Sequence, residues 1–188
     1  FRSSRSATGY LIVPFAYFAR LSPARQRIYR KSDAIATIEL PHAASHAATV
    51  VEIRDGLLAE DRPLVHRASQ TLIDALDADF GLPAVRVQVL ARRPSDDYGE
   101  LHGLYEPEEG RARARITVWM RTAQKRQVVA FKSFLRTLVH EFGHHFDYEY
   151  LQLPETFHTE GFYKRESSLA NALFATLSAA PPASRGEP

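Results

Sequence analysis

Residues Phe131 to Tyr150 read FKSFLRTLVHEFGHHFDYEY. Phe131, Leu135, Leu138, Phe142 and Phe146 recur at spacings of three and four, the pattern of one apolar helix face. Ser133, Thr137, His140, His144 and Asp147 or Tyr148 fall on the opposite, polar side. The stretch is therefore expected to be a helix packed on a core, with its polar side turned to a cleft. On that side lies His140-Glu141-Phe142-Gly143-His144, an H-E-x-x-H. Residues four apart stand one turn above each other. His140 and His144 can thus reach one metal ion, with Glu141 beside it. Two imidazoles and a third protein ligand hold zinc, and the open fourth position takes a water. The metal acidifies that water and the glutamate takes its proton. The competing reading is two surface histidines on an amphipathic helix.

Neighbouring residues carry smaller expectations. Gly143 in mid-helix costs about 1 kcal/mol against Ala, which suggests close approach by a neighbouring strand. His145 points away from His140 and is expected in packing. Asp147, one turn beyond His144, either orients a ligand imidazole or is a solvated carboxylate.

The rest of the chain sets bounds. Its 188 residues, 45% hydrophobic and 24% charged, suit one domain with its own core. There is no cysteine, which excludes disulfides and thiolate zinc sites. Any metal is then held by His, Asp or Glu. The net charge of +2 is too small to imply a nucleic-acid partner by itself. Met120 is the only methionine, so Phe1 is not a natural start and a fragment or processed chain is expected. Tyr10 to Ala19 is apolar but too short to span a membrane. With Pro14 in its middle and no small-residue cleavage site, it reads as a strand or docking segment rather than a signal. The chain is expected in the cytoplasm, with no membrane partner.

In chain order, residues 22–60 read as an amino-terminal helical part. Ser22 caps a helix that starts at Pro23 and runs to about Lys31. Ile35 to Leu40 reads as a weak strand ended by Pro41. His42 and His46, four apart among Ala and Ser, read as surface residues. Thr49 to Leu58 is a short helix, and Pro63 opens a longer one to Phe80, stopped by Gly81. Val85 to Leu90 alternates as a half-buried strand. Arg92 to Gly99 is turn-like, Leu101 to Tyr105 a second strand and Arg115 to Met120 a third. A strand near a metallopeptidase helix pairs with extended substrate by strand addition, and Arg115 to Met120 is the candidate. Residues 181–188 read as a disordered tail.

The third ligand lies downstream. Phe157-His158-Thr159-Glu160-Gly161-Phe162-Tyr163-Lys164-Arg165-Glu166 follows a break near Pro154. Thr159 is placed to cap a helix from Glu160 to about Leu177. His158 precedes that cap, and Glu166 sits two turns inside. Tyr163 is either an oxyanion donor or a plain core or surface tyrosine. His140-Glu141-x-x-His144, thirteen intervening residues and then His158-x-x-Gly161-Phe162 resemble the SprT-like (Spartan-type) zinc metallopeptidases, over about Tyr105 to Glu166. The resemblance implies zinc on His140, His144 and His158, with Glu141 as general base. It departs in having Thr159 and Glu160 between the histidine and Gly161, and in lacking any cysteine module. A second resemblance, to gluzincins and the compact minigluzincins, would put Glu166 on the metal instead.

The expectation is therefore an α+β, zincin-like single domain over 1–188, with a small sheet, the motif helix and a carboxy-terminal helix. It would bind one zinc ion and hydrolyse peptide bonds in protein or peptide substrates. Two other readings stand beside it. One is a non-catalytic zinc-stabilised binding protein. The other is a nucleic-acid-associated protein whose protease activity is secondary or lost, suggested by the arginine-rich stretch from Arg111 to Arg126; for such a protein the SprT-like resemblance implies action on DNA-bound proteins.

Overall fold

The structure, a computed structural model, describes residues 15–96 and 99–179. In chain order these form helices α1 (Pro23–Asp33), α2 (Ala47–Leu58) and α3 (Arg62–Phe80), then strands β1 (Arg86–Arg92), β2 (Ser95–Asp96), β3 (Gly99–Glu100), β4 (Gly103–Glu106) and β5 (Arg115–Arg121). Helices α4 (Phe131–Glu149) and α5 (Glu160–Ala179) follow. The architecture is α+β, with a three-stranded sheet in the order β1-β5-β4 and a separate two-stranded pair, β2-β3.

Local chemistry sets the helix ends. Ser22 Oγ accepts the Arg25 N–H at 3.3 Å, with Pro23 at the first helical position. Asp61 Oδ1 does the same for Leu64 at 2.9 Å, and Gly81 ends α3 at a φ of 65°. Thr159 Oγ1 accepts the Phe162 N–H at 2.9 Å and starts α5.

Burial joins α4 to the sheet. Leu135, Leu138, Val139 and Phe142 meet Ile116, Val118 and Met120 of β5, Val87 and Val89 of β1, and Leu72, Ile73 and Leu76 of α3. Strand β5 runs parallel to β1 and antiparallel to β4. The outer edge of β1 is closed by side chains of α3. Gln70 Oε1 takes the Val87 N–H at 2.8 Å, and Gln70 Nε2 donates to Val85 O at 3.0 Å. His66 Nε2 meets Val87 O at 3.0 Å and Asp77 Oδ2 takes the Val85 N–H at 3.1 Å. Arg115 to Met120, expected to pair with substrate, is instead the central strand and has neighbours on both sides. The edge beside the motif helix is β4.

Other expectations shift for identifiable reasons. Ile35 to Leu40 forms no strand. Its carbonyls are taken by α5 instead: Arg165 donates to Ile35 O, and Ser168 Oγ donates to Ile38 O at 2.8 Å. His46 is buried rather than on the surface. Its Nε2 meets Asp79 Oδ2 at 2.8 Å, while exposed His42 reaches Asp79 Oδ1 at 3.2 Å. Of the apolar segment Tyr10 to Ala19, the part before Phe15 lies outside the described residues, as does the tail 181–188. Ala16–Arg20 is a 3-10 helix, not a strand. No described helix is long and apolar enough to cross a membrane.

Candidate metal centre

Helix α4 presents His140 and His144 to a cleft of about 520 Å³, as its periodicity predicts. The loop from Tyr150 to Thr159 then turns back, and α5 starts beside α4. This return carries His158 over the same cleft. One donor atom from each of His140, His144 and His158 lies within 4.8 Å of the others. His158 Nε2 stands 3.0 Å from His140 Nε2 and 3.1 Å from His144 Nε2.

The outer partners decide which nitrogens hold protons. Glu166 Oε2 lies 2.9 Å from His140 Nδ1, and a carboxylate only accepts, so Nδ1–H donates. The Thr156 hydroxyl donates to Asp147 Oδ2 at 2.9 Å, so its oxygen accepts from His144 Nδ1–H at 3.0 Å. Both inward Nε2 atoms are then lone pairs. His158 Nε2–H can satisfy only one of them. Three nitrogens about 2.0–2.1 Å from a tetrahedral zinc would stand roughly 3.3 Å apart, close to the two spacings measured from His158. The donor set fits a zinc ion, and outer-shell hydrogen bonds of this kind orient metal ligands. Burial, followed by the charges of the other two histidines, lowers His144 to about 3. Burial also lowers His158. Both therefore remain neutral near pH 7, the state that metal ligation requires.

Glu141 is buried at the floor of the cleft, 6% exposed. Burial pushes its carboxyl up to about 7, against the pull of His140 and a backbone hydrogen bond from Tyr105. Gly103 of β4 lies directly against it. A Cβ built at Gly103 would stand 2.3 Å from Glu141 Oε1. Tyr105, two residues on, stacks near His144 and Tyr148 and contributes one wall. Its hydroxyl donates to His145 Nδ1 at 3.1 Å, because His145 Nε2–H is directed to Pro83 O at 2.9 Å. His145 is fully buried and holds that wall, the packing role expected of it.

The remaining expectations sort by what each residue touches. Asp147 is buried and bears on His144 through Thr156, and Arg165 NH2 pairs with its other oxygen at 2.7 Å. Glu166 sits on His140 Nδ1, away from the point where the Nε2 atoms converge. Gly143 faces no strand. Phe162 of α5 fills the space, 3.1 Å from where a Cβ would be, and its ring also stacks near His144. Tyr163 is exposed and stacks on His158. Arg115 and Arg121 of the arginine-rich stretch are paired with Glu106 and Glu60. Sequence reasoning missed Gly103, Tyr105 and Thr156. Only the placement of Gly103 in a predicted strand hinted that a backbone comes close there.

No protein-family model, curated protein or solved structure matches this chain. The site's own chemistry carries its functional reading.

Proposed function

We propose that this chain is a zincin-type, SprT-like metallopeptidase domain that hydrolyses peptide bonds in protein or peptide substrates. The convergence of three imidazole Nε2 atoms beside the buried carboxyl of Glu141 carries the reading. His140, His144 and His158 would hold one zinc ion. When bound, it would polarise the scissile carbonyl and acidify a water. Glu141 takes the proton from the attacking water and returns it to the amine as the peptide C–N bond breaks. Strand β4 borders the cleft with Gly103, Leu104 and Tyr105. An extended substrate adds to that edge as a further strand. Engagement of Glu166 by His140 favours His158 over the gluzincin-type ligand set.

The test is metal analysis of the purified protein together with cleavage of an unfolded protein substrate. One zinc per chain is expected. Glu141→Gln is expected to keep that zinc and lose hydrolysis, because Glu141 serves as base and not ligand. Cleavage by this variant at the wild-type rate would defeat the mechanism. Stoichiometric zinc with no cleavage of any substrate would leave a zinc-stabilised binding protein.

A further inference from the structure

Past the histidines the cleft continues along α4 and meets Arg136 and Thr137. Arg136 is exposed, one helical turn before His140. Its guanidinium stands 5.7 Å from the centre of the Phe174 ring and 3.5 Å from Asn171 Oδ1. Among the described residues no carboxylate pairs with it. The two acids lining the cleft are engaged elsewhere, Glu141 against Gly103 and Glu166 on His140. Some arginines of the domain have carboxylates, among them Arg25 with Glu155, Arg115 with Glu106 and Arg165 with Asp147; Arg136, unpaired among the described residues, lines the cleft. Arg136 thus offers the cleft a planar fork of donors backed by an aromatic face. That fork matches a carboxylate at two points.

We propose that Arg136 is a specificity-determining residue that binds a substrate carboxylate on the carboxy-terminal side of the scissile bond. This rests on the peptidase reading above. The polarity follows from two elements. Strand β4 runs from Gly103, against Glu141, to Tyr105, against His144 and His145. That is the direction of α4. A peptide added antiparallel to β4, the more stable pairing, runs the opposite way. Its residues beyond the scissile bond therefore head towards Arg136. Four helical residues span about 6 Å, and an extended chain advances about 3.3 Å per residue. The carboxylate bound is thus on the first few residues past the cleaved bond. It is either an Asp or Glu side chain or the terminal carboxylate of the peptide.

The test uses the zinc-loaded full chain and fluorogenic peptides with Glu, Gln or Lys at each of the first positions after the cleaved bond. A matched set ends there in a free carboxylate or an amide. The acid is expected to exceed its amide in kcat/KM by roughly tenfold or more at one position, the worth of a charge-assisted hydrogen bond, and by no more than about twofold in Arg136→Gln. Arg136→Glu is expected to turn the preference towards Lys. A gain seen with the free carboxylate alone identifies the chain end as the source; a gain with Glu identifies the side chain. Binding of the same peptides to Glu141→Gln, followed by fluorescence anisotropy, reads the subsite without turnover. Absence of cleavage with an intact acid preference in binding would overturn the peptidase reading alone. Equal binding and cleavage of Glu and Gln peptides, or an acid preference unchanged in Arg136→Gln, would overturn the carboxylate subsite.

Discussion

The general base proposed here, Glu141, would need a fixed position as much as a proton affinity, and at this site one hydrogen atom sets it. Gly103 has no side chain, and Glu141 occupies the space where one would be. Adding a methyl group there puts a carbon 2.3 Å from Oε1, so the carboxylate must turn away. Gly103→Ala is therefore expected to lower kcat by about a hundredfold, the cost of roughly 1 Å of misplacement, with zinc content unchanged. Steady-state kinetics and metal analysis on the same sample check it; wild-type kcat would mean that Glu141 is positioned by something else. His140, Glu141 and His144 were legible in the sequence because one helix carries all three and its period alone sets their spacing. Gly103 and Thr156 were not, since each acts through a tertiary approach between segments far apart in the chain.

At the scale of elements, the proposed third ligand, His158, depends on a loop without regular structure, and the amino-terminal part holds that loop. Lys31 Nζ donates to Leu151 O at 2.7 Å, and Arg25 grips Glu155 with bonds of 2.8 and 2.7 Å. The Tyr17 hydroxyl donates to His158 O at 3.1 Å. Gly161 then packs where a Cβ would meet the Asp33 backbone at 2.6 Å, which fixes the start of α5 against α1. With the loop so held, His158 and Glu166 have separable duties, one at the convergence point and one behind His140. Glu166→Ala is expected to weaken zinc binding about 10–100-fold, as for other outer-shell partners, and His158→Ala by more. Competition with a chromogenic chelator measures both, and the reverse order would favour the gluzincin-type ligand set. The α4 stripe and the caps of α1, α3 and α5 were readable because they are local. The strand order was not, because pairing β5 between β1 and β4 depends on contacts across the chain. Edge closure by α3 depends on single polar side chains that no periodicity marks.

Over the whole molecule, the proposed metal would act as a cross-link. Two of its ligands come from α4 and the third from the loop before α5. The same two helices are already joined by the buried Asp147–Arg165 pair, whose arginine also reaches Ser32 O at the end of α1. A metal that binds only the folded chain stabilises it by mass action, about 4 kcal/mol at a free concentration a thousand times Kd. For a domain of this size each kcal/mol moves Tm by roughly 2–4 °C. Removing zinc with a chelator is thus expected to lower Tm by about 8–16 °C. Re-addition of zinc should restore it. His144→Ala should melt low with or without metal, because it lacks a ligand whatever the zinc concentration. The buried Asp147–Arg165 pair and the core do not depend on the ion, so the stripped chain is expected to stay folded at room temperature. Far-ultraviolet circular dichroism on heating, with zinc and with chelator, gives the comparison. Coincident melting curves for the wild-type chain would show that the three histidines hold no structural metal.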